Sequence, residues 1–152
     1  MQSKIYLSLG SNSGDRRAFL QAALAKIGEL GSVRASSEYT GAPVGFCSNN
    51  EFINIAAVLT LERTEKWTQA EAEALLRQLK TIEHELSAMP HRNADGTYRD
   101  REIDIDIIAI EGYSQRTPLL ILPHPRAAER PFVTVPLAEI APEAIALLAQ
   151  HL

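Results

Sequence analysis

Two carboxylates, Asp104 and Asp106, stand two positions apart in the stretch Arg101-Glu-Ile-Asp-Ile-Asp-Ile-Ile-Ala-Ile110. The alternation predicts a β-strand with Ile103, Ile105 and Ile107 on one face and the two acids on the other, followed there by Ile108 and Ile110. Neighbouring acids repel each other by roughly 2–3 kcal/mol at an effective dielectric of about 20, so a cation is the expected compensation. Oxygen donors of this kind suit Mg²⁺, which keeps several waters and takes further ligands from phosphates. Two such acids can also flank a pair of metals that clamps one reacting phosphate. A solvated strand face would show the same alternation. Two features favour a site: the acidic face turns apolar at Ile108, and Arg99, Arg101, His124, Arg126 and Arg130 flank the strand in sequence.

Other candidates carry weaker signals. The turn GSNSGD lacks the Lys and Ser/Thr of a phosphate-binding P-loop, so it reads as a strand-to-helix connection. His124 between two prolines suits a rigid turn, and beside Arg126 and Arg130 it also suits a phosphate contact. Phe52, Tyr98 and Phe132 fit either a core or a stacking role. Cys47 has no basic neighbour in sequence to activate it.

These residues need elements to hold them. Lys4 to Leu9 reads as a strand that ends in a turn at Gly10 to Gly14. A helix follows from Asp15, with Phe19, Leu20, Leu24, Ile27 and Leu30 at helical spacing and Gly31 as its stop. Val33 to Thr40 reads as a second strand and Phe52 to Glu62 as a long central one. Thr68 to Glu71 is a capping-box pattern opening a helix with a Leu75, Leu79, Ile82, Leu86 stripe that stops near Met89-Pro90. The polar segment from His91 to Asp100 connects it to the acidic strand. Leu119 to Leu122 reads as a short strand, and the segment from Val133 as a strand plus short helix. The order β-α-β-β-α-β predicts an α+β, ferredoxin-like antiparallel sheet with helices packed on one face and the other left for a site.

The chain has 152 residues, 45% hydrophobic and 22% charged, which suits one domain over residues 1–152 with a real core. A net charge of −4 provides no broad basic surface, so neither nucleic acid nor an anionic membrane is an expected partner. The lone Cys47 excludes an internal disulfide and a cysteine-based zinc site. No signal-peptide pattern or membrane-length apolar run stands out, so the expected location is cytoplasmic.

Taken together, the strand-borne D-I-D-I, the upstream A-P-V-G and F-I-N-I-A-A-V, and the downstream L-P-H-P, E-R-P-F and P-L-A-E-I-A-P-E resemble one family. It is the 6-hydroxymethyl-7,8-dihydropterin pyrophosphokinases of folate biosynthesis, and the resemblance runs from Ile5 through Glu143. It implies a ferredoxin-like monomer that transfers the terminal diphosphate of ATP to the pterin alcohol and releases AMP. By resemblance, Asp104 and Asp106 would bind two Mg²⁺ ions. Asn54 would read the pterin ring between Phe52 and Phe132, and Gly41, Ala42, Val44 and Tyr98 would border it. Lys80, Glu83, Arg101, Ile107, Ile121, His124 and Arg130 would face ATP, with Arg101 and Arg92 acting on the phosphates. The sequence departs from the family's R-W-G-P-R in reading T-Y-R-D-R here, and Leu119 stands where many members have a basic residue. A ligand-sensing module on the same fold would form no AMP, and a pterin aldolase would ignore ATP.

Overall fold

Apolar residues at alternate positions send β1 (Gln2–Ser11) through the middle of the sheet, where Ile5, Leu7 and Leu9 are wholly buried on one face and Tyr6 on the other. The computed structural model describes residues 1–41, 51–87 and 102–149. β1 pairs antiparallel with β4 (Phe52–Glu62) on one side and with β5 (Asp104–Ile110) on the other. β4 also pairs with β2 (Ser32–Ala35) and β3 (Tyr39–Gly41), giving the order β2-β4-β1-β5 with β3 beside β4. Val33 to Thr40 is therefore two short strands rather than one. A separate hairpin joins β6 (Gln115–Arg116) and β7 (Ile121–Leu122). β4 is apolar almost throughout because both of its faces are covered.

Two helices lie on the first face. Gly14, at φ 69°, makes the left-handed turn before α1 (Arg16–Ile27), and the Asp15 carboxylate caps that helix by accepting from the Ala18 N–H at 3.1 Å. α1 ends at Gly28, three residues before the predicted stop. α2 (Gln69–Leu86) opens with the expected capping box between Thr68 and Glu71. Leu20, Ala23 and Ile27 of α1 and Leu75, Leu79 and Ile82 of α2 close over Leu7, Leu9, Ile55, Ile105 and Ile107.

The second face departs from expectation. The segment from Pro131 forms α3 (Pro131–Ile140) and α4 (Pro142–Ala149) after a 3-10 turn at Ala127–Glu129, with no strand. Val133-Thr-Val135 suggested period two, yet the buried positions Val133, Pro136, Leu137 and Ile140 follow a helical stripe while Val135 is exposed. Pro131 sits at the helix start, where its missing N–H costs nothing. These helices pack on Tyr6, Ala56, Val58, Ile108 and Ala109. Helices therefore cover both faces, contrary to the one-face prediction.

β5 also departs from simple alternation. Its register with β1 slips between Leu7↔Ile107 and Tyr6↔Ala109, a bulge that leaves Ile108 without an opposing residue. Ile108 and Ala109 both join the second core, and Ile110 returns to the first. Ile110 is thus on the opposite face from the one predicted.

Candidate functional site

The candidate site lies on the second face, at the ends of three strands. Residue 10 of β1 is opposed by Asn54 on β4 and by Asp104 on β5, so Asn54, Gly10 and Asp104 form one row across the sheet. The next row on the same face is Ala56, Ser8 and Asp106. Phe52 lies two residues before Asn54, opposite Gly41 of β3. Asn54 is 5% exposed, so its amide is a buried polar group rather than a solvated one. A Cβ on Gly10 would come within 2.7 Å of Asn54 Oδ1 and 3.3 Å of Phe52 Cδ1, so only glycine leaves room for this arrangement. Sequence reasoning took Gly10 as the end of β1 and missed it. A glycine flanked by strand residues was the available signal, since it marks a close approach. Ser8, 7% exposed between Ala56 and Asp106, was missed as well.

The acids meet a cation supplied by the chain. Among the described residues β5 is an edge strand, and α2 sends Lys80 and Glu83 to its outer edge. Lys80 Nζ donates to the Ile105 carbonyl at 2.9 Å and to Glu83 Oε2 at 2.8 Å, while Glu83 Oε2 accepts the Ile105 N–H at 2.8 Å. Two side chains thereby satisfy the N–H and C=O of Ile105 on the side of β5 away from β1. From that anchored position Nζ lies 3.9 Å from Asp104 Oδ1 and 3.8 Å from Asp106 Oδ1. Burial opposes the charge on Lys80, but Asp104, Asp106 and Glu83 together outweigh it and hold the ammonium above its usual pKa. Burial raises the Glu83 carboxyl despite its pairing with Lys80, as expected for an acid only 2% exposed.

The bulge positions His124. The unopposed Ile108 accepts the His124 N–H at 2.7 Å, and His124 Nδ1 accepts the Arg126 N–H at 3.2 Å. That bond assigns the neutral ring's proton to Nε2. Burial, with Arg130 and Arg126 adding to it, lowers the His124 pKa. His124 and Ile121 border a cavity of about 270 Å³ with Arg116 and Leu148. Arg130 stands at the start of α3 with its guanidinium 5.6 Å from the centre of the half-buried Phe132 ring. The structure therefore gathers Asn54, Phe52, Asp104 and Asp106 on one face, with Lys80 and Glu83 at its edge and Phe132 on the adjoining α3. The Ile107 side chain is buried in the helix-side core, which leaves only its main chain for any ligand. Ala42, Val44, Arg92, Tyr98 and Arg101 lie outside the described residues.

Two adjacent carboxylates can hold a divalent metal, and no third histidine, cysteine or acid is grouped with them among the described residues. Such a donor pair fits a hard ion that completes its shell with water and phosphate, so Mg²⁺ fits and a closed structural zinc site does not.

An antiparallel sheet with helices on both faces, carrying the Asn54 amide, Phe52 and a carboxylate pair on one of them, defines a mixed α/β protein. Residues 6–142 match the family model described as 7,8-dihydro-6-hydroxymethylpterin-pyrophosphokinase, and the chain belongs to that family. It is 38% identical over 143 residues to a 2-amino-4-hydroxy-6-hydroxymethyldihydropteridine pyrophosphokinase of Porphyromonas gingivalis, covering 91% of this chain and 90% of that protein. Proteins of the same description from Methylorubrum extorquens and Bacillus subtilis are each 35% identical, covering 94% and 92% of this chain and 85% and 79% of theirs. A crystal structure described as HPPK-DHPS in complex with substrates superposes with a TM-score of 0.64 at 15% identity, over 94% of this chain and 41% of that one. That likeness concerns the fold. No helix among the described residues is long and apolar enough to cross a membrane.

Proposed function

We infer that this chain transfers diphosphate from ATP to 6-hydroxymethyl-7,8-dihydropterin, giving AMP and the pterin diphosphate for folate biosynthesis. One observation carries the reading at the level of geometry. The row Asn54, Gly10, Asp104 spans three adjacent strands and puts the buried Asn54 amide and the Asp104 carboxylate on one face of the sheet, two positions apart across Gly10. Two substrates held on that row would lie side by side, which is what an in-line transfer between them requires. The strand order β2-β4-β1-β5 with crossover helices α1 and α2 supports a ferredoxin-like reading of the fold, to which α3 and α4 are an addition.

Asn54 would accept and donate at the polar edge of the pterin, with Phe52 and Phe132 against its faces and Gly41 beside it. Gly10 leaves the amide room to stay in place. Asp104 and Asp106 would hold Mg²⁺, in one or two ions. Bound with ATP, Mg²⁺ would neutralise charge on the transferring phosphates. His124 through Nε2–H, Arg130 through its guanidinium, and Arg101 and Arg92 from their sequence positions would bind phosphate oxygens. Ile107 through its main chain, and Ile121, would border the nucleotide, and Ala42, Val44 and Tyr98 the pterin. The acceptor is a primary alcohol, and no general base is assigned to it. A cytoplasmic monomer with no nucleic-acid or membrane partner is the form we expect.

The test is direct. The protein is incubated with ATP, Mg²⁺ and the reduced pterin alcohol, and AMP and pterin diphosphate are measured in equal amounts. A ligand-sensing module would give no AMP, and either that result or AMP formation independent of the pterin would end this reading.

A further inference from the structure

We propose that Lys80 is a built-in counter-ion of the Asp104/Asp106 pair that keeps the site's affinity for free divalent cations low, so that metal is retained only together with nucleotide. The proposal rests on the assignment of that pair as the metal-binding acids. The observation behind it is positional. Lys80 does not swing freely from α2, because its ammonium is tied to the Ile105 carbonyl at 2.9 Å and to Glu83 Oε2 at 2.8 Å. Those ties hold Nζ almost equally far from both acids, 3.9 Å from Asp104 Oδ1 and 3.8 Å from Asp106 Oδ1. Both distances are longer than a direct hydrogen bond, so the charge acts at short range without occupying the carboxylates' donor sites.

The consequence follows from charge. Two carboxylates alone would attract a hydrated divalent cation, and a fixed positive charge beside them reduces that attraction. Nucleotide phosphates restore it, since they add negative charge and further oxygen ligands to the same metal. Lys80 would therefore make metal and nucleotide binding depend on each other. It is a positioning residue, acting through the acids. Glu83, 2% exposed and bonded to both Lys80 and the β5 edge, keeps that charge in place.

The probe is Mn²⁺ alone, titrated into the full chain without nucleotide and followed by the electron paramagnetic resonance of the free ion. Lys80→Gln should bind Mn²⁺ at least tenfold more tightly than the unaltered protein, and Lys80→Arg, which keeps the charge, should return affinity to within about threefold. Adding a non-hydrolysable ATP analogue should tighten Mn²⁺ binding much more in the unaltered protein than in Lys80→Gln. Lys80→Met supplies a second neutral variant should Lys80→Gln not fold. Equal Mn²⁺ affinity in the neutral variants and the unaltered protein overturns the proposal, as does equal tightening by the nucleotide analogue. Asp104→Asn and Asp106→Asn separate this result from failure of the underlying assignment. If the acid variants keep full Mn²⁺ binding, the pair is not the metal site. If they lose it while Lys80→Gln changes nothing, only the counter-ion role falls.

Discussion

Gly10 and Asn54 face each other across β1 and β4, and a single methyl group on Gly10 would stand 2.7 Å from the Asn54 amide oxygen. The backbone of Gly10 is ordinary strand, outside the positive-φ region, so any side chain there acts through contact alone. Gly10→Ala should displace the buried amide and Phe52 together, weakening pterin affinity at least tenfold while ATP affinity changes little. Calorimetric titration of each ligand separately checks this, and parallel losses for both would show a general disturbance of the sheet.

Asn54→Ala removes the amide without crowding it. Losing a buried hydrogen-bonding group costs about 1–3 kcal/mol, so pterin binding should fall by roughly one to two orders of magnitude and ATP binding should hold. Phe132→Ala should act in the same direction through lost stacking. Its loss also frees the Arg130 guanidinium that rests over the ring, so a modest drop in ATP affinity is expected there and not in Asn54→Ala.

Asp104→Asn and Asp106→Asn should each lower metal-dependent diphosphate transfer by roughly a thousandfold, the scale of losing a charge that stabilises a transition state. Sequence alone suggests that removing an acid relieves repulsion, so that metal-free stability stays level or rises. With Lys80 Nζ within 4 Å of both carboxylates the repulsion is already offset, so metal-free stability should change by no more than about 1 kcal/mol. Urea denaturation without metal measures it, and a collapse in either variant would mark the pair as structural.

Glu83→Ala leaves the Ile105 N–H and the Lys80 ammonium without a shared acceptor at the edge of β5. Breaking a buried pair by removing one partner costs about 3–5 kcal/mol, and the partial exposure of Lys80 places the expected loss at the lower end. A shift in denaturation midpoint equivalent to less than about 1 kcal/mol would mean that the edge is held by other contacts.

His124 gives a pH signature. Burial, reinforced by Arg130 and Arg126, lowers its pKa in the folded chain, so the unfolded chain binds more protons below the ordinary value of 6.5. Its contribution to stability is therefore complete above pH 6.5 and is lost as pH falls through the window below it. His124→Asn, whose amide oxygen can replace Nδ1 as acceptor of the Arg126 N–H, should flatten that acid-side loss. Identical pH profiles for the two proteins between pH 6.5 and 5 would show that His124 does not carry it.

The chain's local patterns were sufficient for much of this protein. The capping box at Thr68 and Glu71, the apolar run of β4 and the Asp104/Asp106 alternation are set by interactions between residues a few positions apart. That Asn54 stands on one face with the two acids was legible only through the motif resemblance, since Asn54 and Asp104 are distant in sequence. Three features needed the folded chain. The bulge at Ile108 depends on register with β1 and moves Ile110 to the other face. The helix at Pro131 overrides a β-branched run because burial against β4 rewards a period of 3.6. The cation beside the two acids comes from α2, and its place there depends on how that helix packs against the edge of β5, a long-range contact that no spacing in the sequence encodes.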